Sequence, residues 1–198
     1  MKLCIFGAGA IGGLLGVKLA RAGHDVSFVA RGAHLEAFRK NGATLLTGGH
    51  KLNVQVACSD KPADLGPQDV VILAVKATGA SDAARAIGPL LKDDTAVVIA
   101  MNGVPFWYFA GLPGRWSDLR LASVDPDGVQ WDLIGPARAI GCVVYAAGEI
   151  AGPGVIHHTS GVKFTLGEID GSTSARLRRV ADAFIAAGFD APISPSIR

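Results

Sequence analysis

Apolar residues open the chain in an unbroken run from Leu3 to Phe6. They then spread to a helical spacing at Ile11, Leu14, Leu15, Val17, Leu19 and Ala22. That change of period predicts a strand over Lys2 to Phe6 feeding a helix, which Gly23 closes as a C-terminal cap. Asp25 to Ala30 predicts a second strand, and Ala33 to Asn41 a second helix stopped by Asn41-Gly42. Thr44 to Leu46 and Leu52 to Ala57 predict a hairpin around Gly48-Gly49. Val70 to Val75 and Ala96 to Met101 are apolar at every position, the pattern of parallel strands covered on both faces. Ala80 to Leu91, between them, predicts a helix. Strands alternating with helices predict an α/β fold, a doubly wound parallel sheet with right-handed crossovers.

Beyond Asn102 the pattern loosens. Residues 103 to 138 are rich in Gly, Pro and aromatics, among them Phe106, Trp107, Tyr108, Phe109, Trp116 and Trp131. Linkers are poor in aromatics, so this stretch predicts a helical or irregular insertion. Ala139 to Tyr145, Val155 to His158 and Lys163 to Leu166 return as strands. Ser174 to Ala187 predicts an amphipathic helix capped at Ser172 or Ser174, and Asp190 to Ile193 a last short strand. The expected division is a domain over 1–170 carrying the insertion, and a terminal helix and strand over 171–198.

Composition narrows the function classes. With 198 residues, 49% hydrophobic and 18% charged, the chain has the material for a sizeable core. A net charge of +2 without basic runs argues against nucleic acid or an anionic membrane as partner. Mean hydropathy is +0.35, yet the apolar runs are strand-sized, far short of the roughly twenty residues a membrane span needs. A strand beginning at Lys2 leaves no room for a signal peptide. Cys4, Cys58 and Cys142 are scattered without CxxC spacing, as buried thiols in a reducing compartment are, so a cytoplasmic protein is expected.

The chemistry concentrates at strand ends. Gly7-Ala8-Gly9-Ala10-Ile11-Gly12 follows a strand and opens a helix, the context that makes GxGxxG a dinucleotide fingerprint and the fold Rossmann-type. The first Gly turns the chain, the second lets backbone approach the pyrophosphate, and the third brings helix onto strand. An NAD site places an acid about 20 residues further on. Here Arg31 stands there, with no acid between Val26 and Leu35. A guanidinium suits a 2′-phosphate, so NADP(H) is the expected cofactor. Arg39 and Lys40 read as a solvated helix face. Lys76 and Asn102 each follow a buried strand, at the edge where open α/β sheets bind ligands, and both are expected to face the crevice. His157 and His158 point to opposite faces of a strand, and no metal site is expected. Asp125-Pro126-Asp127-Gly128 reads as a turn.

Together, Gly7 to Gly12, Ala30-Arg31-Gly32, Val75-Lys76-Ala77, Asn102-Gly103, Gly141 to Ala146 and Gly152 to Ile156 resemble the ketopantoate reductase (2-dehydropantoate 2-reductase) family. The resemblance implies an oxidoreductase with a Rossmann NADPH domain followed by an all-helical domain. It implies reduction of a small keto acid, 2-dehydropantoate to pantoate, in pantothenate biosynthesis. It gives Gly7, Ala8, Gly9, Ala10, Ile11 and Gly12 to the pyrophosphate and Arg31 to the 2′-phosphate. Lys76 and Asn102 would flank the nicotinamide ribose, Asn102 also near substrate with Lys76 auxiliary, and Ala147 would touch the nicotinamide side. The family's proton-donating Lys lies beyond the segment ending Pro195-Ser196-Ile197-Arg198. No catalytic acid is therefore expected in this chain, nor ketone reduction by it alone. A 6-phosphogluconate-type hydroxyacid dehydrogenase and a non-catalytic NADP(H)-binding module stay open as alternatives. A homodimer is compatible with the apolar surface, Trp107 and Phe109 included, that an absent domain would leave.

Overall fold

In the computed structural model, which describes residues 1–198, the apolar runs become strands of one nine-stranded sheet. In chain order the elements are β1 (Lys2–Phe6), α1 (Ala10–Arg21), β2 (Asp25–Val29), α2 (Gly32–Asn41), β3 (Ala43–Thr47), β4 (His50–Val54) and β5 (Ala57–Ser59). They continue with β6 (Val70–Leu73), α3 (Ala80–Ala86), β7 (Ala96–Ile99), α4 (Val129–Leu133), β8 (Ala139–Gly152), β9 (Val155–Glu168) and α5 (Ala175–Ala186). The spatial order is β4-β3-β9-β8-β7-β6-β1-β2-β5.

From β5 across to β8 every pairing is parallel. The antiparallel β8–β9 and β3–β4 pairs extend this core on one side, so the whole sheet is mixed. Helices cover both faces, as the fully apolar strands require. Leu14 of α1, Phe38 of α2 and Phe184 of α5 pack with Phe28 and Phe164 on one face. Ala83 of α3 and Phe106, Trp107 and Val129 of the insertion pack with Cys4, Val71 and Val97 on the other. Burial pushes the Cys4 and Cys142 thiols up to about 12, so both stay protonated. No helix is long and apolar enough to cross a membrane.

Several boundaries differ from the sequence pattern for local reasons. The helix expected to reach Leu91 ends at Ala86 because Pro89, lacking an N–H, confines the chain to a 3-10 turn over Gly88–Leu90. Ala57 leaves the hairpin and pairs in parallel with β2. The turn itself is as expected, with positive φ at both Gly48 and Gly49, which suits a two-residue hairpin. The two runs Val155–His158 and Lys163–Leu166 are one strand, its register slipping near Ala147. Asp190–Ile193 makes only isolated bridges to Lys163 and Leu166. Ser174 caps α5 by accepting the Leu177 N–H.

Two features of the second half fix its packing. Trp107, expected on an exposed apolar face, is only 2% exposed. The insertion folds back over the sheet, and a Cβ at Gly141 would stand 3.0 Å from the Trp107 ring and 2.7 Å from Ile197. Phe109 is half-buried, and Val104, Trp116 and Leu133 are the large apolar residues exposed in this region instead. Glu168 is buried at the end of β9 and accepts from Arg176 Nε at 2.8 Å and Nη2 at 2.6 Å, and from the Ser174 hydroxyl. Arg176 Nη1 also donates to the Ala137 carbonyl at 2.7 Å.

Candidate functional site

β1 is flanked by β2 on one side and β6 on the other, which makes the β1/β6 gap the topological switch point of the parallel core. Ligands of open α/β sheets bind outside the carboxyl ends of the strands at such a point. The residues singled out by the sequence converge on this edge. Gly7 follows β1, Arg31 follows β2 by two residues, Lys76 and Asn102 each follow β6 and β7 by three, and β8 continues past the edge to carry Ala147.

The glycine loop has three distinct geometries. Gly7 turns at φ +97°, and a Cβ there would stand 2.6 Å from Val75. Its N–H and that of Ala8 donate to the Val29 carbonyl, fastening the loop to β2. A Cβ on Gly12 would strike the Gly7 carbonyl and Ile5, so helix and strand meet at backbone distance. Gly9 is different, because a Cβ there would meet nothing within 4 Å. That open space lies at the N-terminus of α1, which has no capping side chain and no acid in its first turn. The first-turn amides and the helix dipole thus face outward unneutralised, an arrangement that favours a phosphate.

Two further glycines carry the same contact and were not read from the sequence. Cβ atoms on Gly13 and Gly16 would strike Ile156 and the Phe28 ring. A smooth glycine face on α1 is what lets β9 and β2 close around the helix that opens the site.

Arg31 is the N-cap residue of α2, exposed and without an ion pair. Glu36, the first acid along α2, is paired with Arg39 at 3.2 Å instead. Lys76 is also exposed and unpaired, at the start of a 3-10 turn over Ala77–Gly79. Ala147 is exposed on β8, opposite Ser160 where the ladder is irregular. His157 meets Glu149, whereas His158 lies between Thr47 and the Gly161 carbonyl, so the adjacent histidines serve different partners. Asp125 receives the Gln130 and Trp131 N–H groups and acts as a helix cap. A cavity of about 350 Å³ is at the opposite edge of the sheet beside His24 and Val54, away from all of these residues.

Asn102 has a more specific task than its place at the edge suggests. Its Nδ2 donates to the Val144 carbonyl and its Oδ1 accepts the Val144 N–H, both at 3.0 Å. The β7–β8 backbone pairing ends at Ile99 and Gly141. Asn102 therefore continues the ladder with a side chain after the backbones part, and holds the projecting part of β8 beside the crevice. Truncation is not neutral here, contrary to what an edge position alone suggests, and Asn102→Ala is expected to cost about 1 kcal/mol. Asn102→Asp discriminates the two bonds. A carboxylate can accept from Val144 but faces its carbonyl, so repulsion between the two oxygens raises the aspartate pKa in the folded state. Stability relative to the alanine variant is then greatest below about pH 4 and falls as the pH rises. Chemical denaturation of both variants across that range measures the difference, and a pH-independent gap would contradict the clamp.

Comparison with known proteins bears on the family and the fold. A family model for ketopantoate reductase PanE/ApbA matches residues 3–105. The 2-dehydropantoate 2-reductase of Mesorhizobium japonicum is 49% identical over 199 residues, covering 100% of this chain and 61% of that protein. A crystal structure from Ralstonia solanacearum MolK2, described as a candidate ketopantoate reductase, superposes with a TM-score of 0.95 at 42% identity, over 99% of this chain and 61% of that one. D-mandelate dehydrogenase, solved with NADH and anilino(oxo)acetate, shares the fold at a TM-score of 0.80 and 20% identity, over 100% of this chain and 58% of its own. The chain thus spans about three-fifths of the length of these relatives. On the match over residues 3–105, this chain belongs to the ketopantoate reductase PanE/ApbA family.

Proposed function

We propose that these residues form the NADP(H)-binding part of a keto-acid reductase, with 2-dehydropantoate, the substrate in the relatives' name, as the favoured ketone. The observation that carries the cofactor choice is Arg31. It stands unpaired at the end of β2, and the first acid beyond it is already engaged with Arg39. A 2′-phosphate finds a free guanidinium there, whereas the two hydroxyls of an NAD ribose find no carboxylate.

The glycine loop fits a dinucleotide as well, because the space a Cβ on Gly9 would fill is open while those on Gly7 and Gly12 are closed. Gly7, Ala8, Gly9, Ala10, Ile11 and Gly12 would hold the pyrophosphate, with Arg31 on the 2′-phosphate and Lys76, Asn102 and Ala147 along the nicotinamide half. When bound, the cofactor supplies the hydride. The chain's own residues bind and orient it. Asn102 sets the position of β8, and Lys76 adds an unpaired positive charge at the same edge. The division into a cofactor domain over 1–170 and a terminal segment over 171–198 belongs to this proposal, as does cytoplasmic residence.

Calorimetric titration with NADPH and NADH tests it. The expected result is tighter binding of NADPH, with most of the preference erased in Arg31→Ala, since charge-assisted bonds contribute roughly 1.5–3 kcal/mol each. Equal affinity of the unsubstituted chain for both cofactors would overturn the assignment.

A further inference from the structure

The tip of the β8–β9 hairpin is held at the same edge by a residue the glycine loop does not contain. Gly154, in the turn between the strands, donates its N–H to His34 Nδ1 at 2.9 Å, and its carbonyl accepts the Thr44 N–H at 2.9 Å. The fit is close, since a Cβ on Gly154 would stand 2.8 Å from Ala37. The His34 ring is in the first turn of α2 and packs edge-on against Phe38, with centroids 4.3 Å apart.

These contacts define the protonation state. Nδ1 accepts from an amide, so the ring carries its proton on Nε2 and is neutral. Nε2 is buried with no hydrogen-bond partner at ordinary distance. Burial holds the His34 pKa below the usual imidazole range, with the neighbouring Ala8 backbone acting in the opposite direction. Ala8 belongs to the glycine loop. One imidazole therefore joins the first turn of α2 to the hairpin tip, and two residues further along β9 Ile156 closes on Gly13 of α1, the helix that the glycine loop opens.

We propose that His34 is a positioning residue for the dinucleotide, its ring locking the β8–β9 tip against α2 and so holding the start of β9 against α1. The inference rests on reading the glycine loop as the pyrophosphate site. A second proton would put an N–H on Nδ1 against the Gly154 N–H, and the lock would open. The glycine loop, the Gly152–Gly154 turn and Thr44 of β3 bring no titratable side chain to the ring. On α2 itself, Arg31 and Glu36 are exposed, and Glu36 is engaged with Arg39. The sign follows from the depressed pKa. The lock is complete above the ordinary imidazole value and is lost as the pH falls through the lower folded-state value.

The test is titration of the 198-residue chain with NADP⁺ in steps from about pH 7.5 to about pH 4.5, from above the ordinary imidazole value to well below it. NAD⁺ is titrated in parallel because it lacks the 2′-phosphate, which itself titrates near about pH 6. His34→Ala is expected to raise the NADP⁺ Kd about fivefold to tenfold at the higher pH, the loss of one hydrogen bond. His34→Gln offers an acceptor and a donor without titrating. It is expected to recover most of that affinity and to show a flatter pH dependence than the unsubstituted chain for both dinucleotides. Unchanged affinity in His34→Ala, or an equally steep pH dependence in His34→Gln, overturns the inference. Should His34→Ala fail to fold, the pH profile of His34→Gln decides alone. If the unsubstituted chain binds neither dinucleotide, the cofactor reading falls too, whereas variants that merely match it overturn only the role of His34.

Discussion

Arg176→Ala is expected to lower stability by about 3 kcal/mol, the scale observed when one partner of a buried ion pair is removed. Glu168 is 4% exposed and takes both oxygens' worth of bonding from Arg176 and Ser174. Without the guanidinium, its charge stays buried with only the Ser174 hydroxyl. The Ala137 carbonyl loses its donor as well, freeing the end of the insertion from α5. A fall of roughly 9 °C in Tm corresponds to that loss in a chain of this size. Replacing both residues by apolar ones of similar volume is expected to be less damaging, because no uncompensated charge remains. A single variant as stable as the unsubstituted chain would show that the pair is peripheral.

The second large effect separates two glycines three residues apart. Gly12→Ala drives a methyl into the Gly7 carbonyl and Ile5. Overpacking of this kind costs up to about 3 kcal/mol, against which alanine's better helix propensity returns about 1 kcal/mol. Gly9→Ala meets nothing within 4 Å and sits at φ −77°, so its fold is expected to hold. Its methyl occupies the space proposed for the pyrophosphate, and NADPH affinity is expected to fall at least about tenfold. Thermal unfolding and cofactor titration on the two variants read out opposite deficits. An unstable Gly9→Ala, or one that binds NADPH normally, contradicts the proposed roles.

What the sequence made legible was local. Gly7, Gly9 and Gly12 announce themselves because their neighbours in the chain supply the strand and helix that give them meaning. Gly13 and Gly16 look like poor helix formers until Ile156 and Phe28, distant in sequence, are seen against them. Asn102 reads from the sequence only as a residue that follows a strand, because its partner Val144 is forty-two residues away. His34 gave no signal, because an imidazole accepting from Gly154 is a matter of tertiary approach. In the second half, Val155–His158 and Lys163–Leu166 read as two strands, yet long cross-strand pairing with β8 carries β9 through the residues between them. The aromatic residues of the insertion were legible as ordered structure, while the burial of Trp107 depended on the small face that Gly141 leaves for it.

The side-chain clamp at Asn102 also bears on how this protein tolerates change. It joins the two ends of the segment between β7 and β8, leaving the insertion as a loop tied at its base. A closed loop can lengthen or shorten at small entropic cost, because each doubling adds only about 0.6 kcal/mol. Phe106, Trp107 and Val129 are fixed in the core, so it is the mostly exposed stretch 111–123 of the insertion in which variation in length is decoupled from the spacing of the strand ends. Deletions and insertions there can reshape the outer surface through generations of drift, while the edge between Gly7 and Ala147 keeps its dimensions.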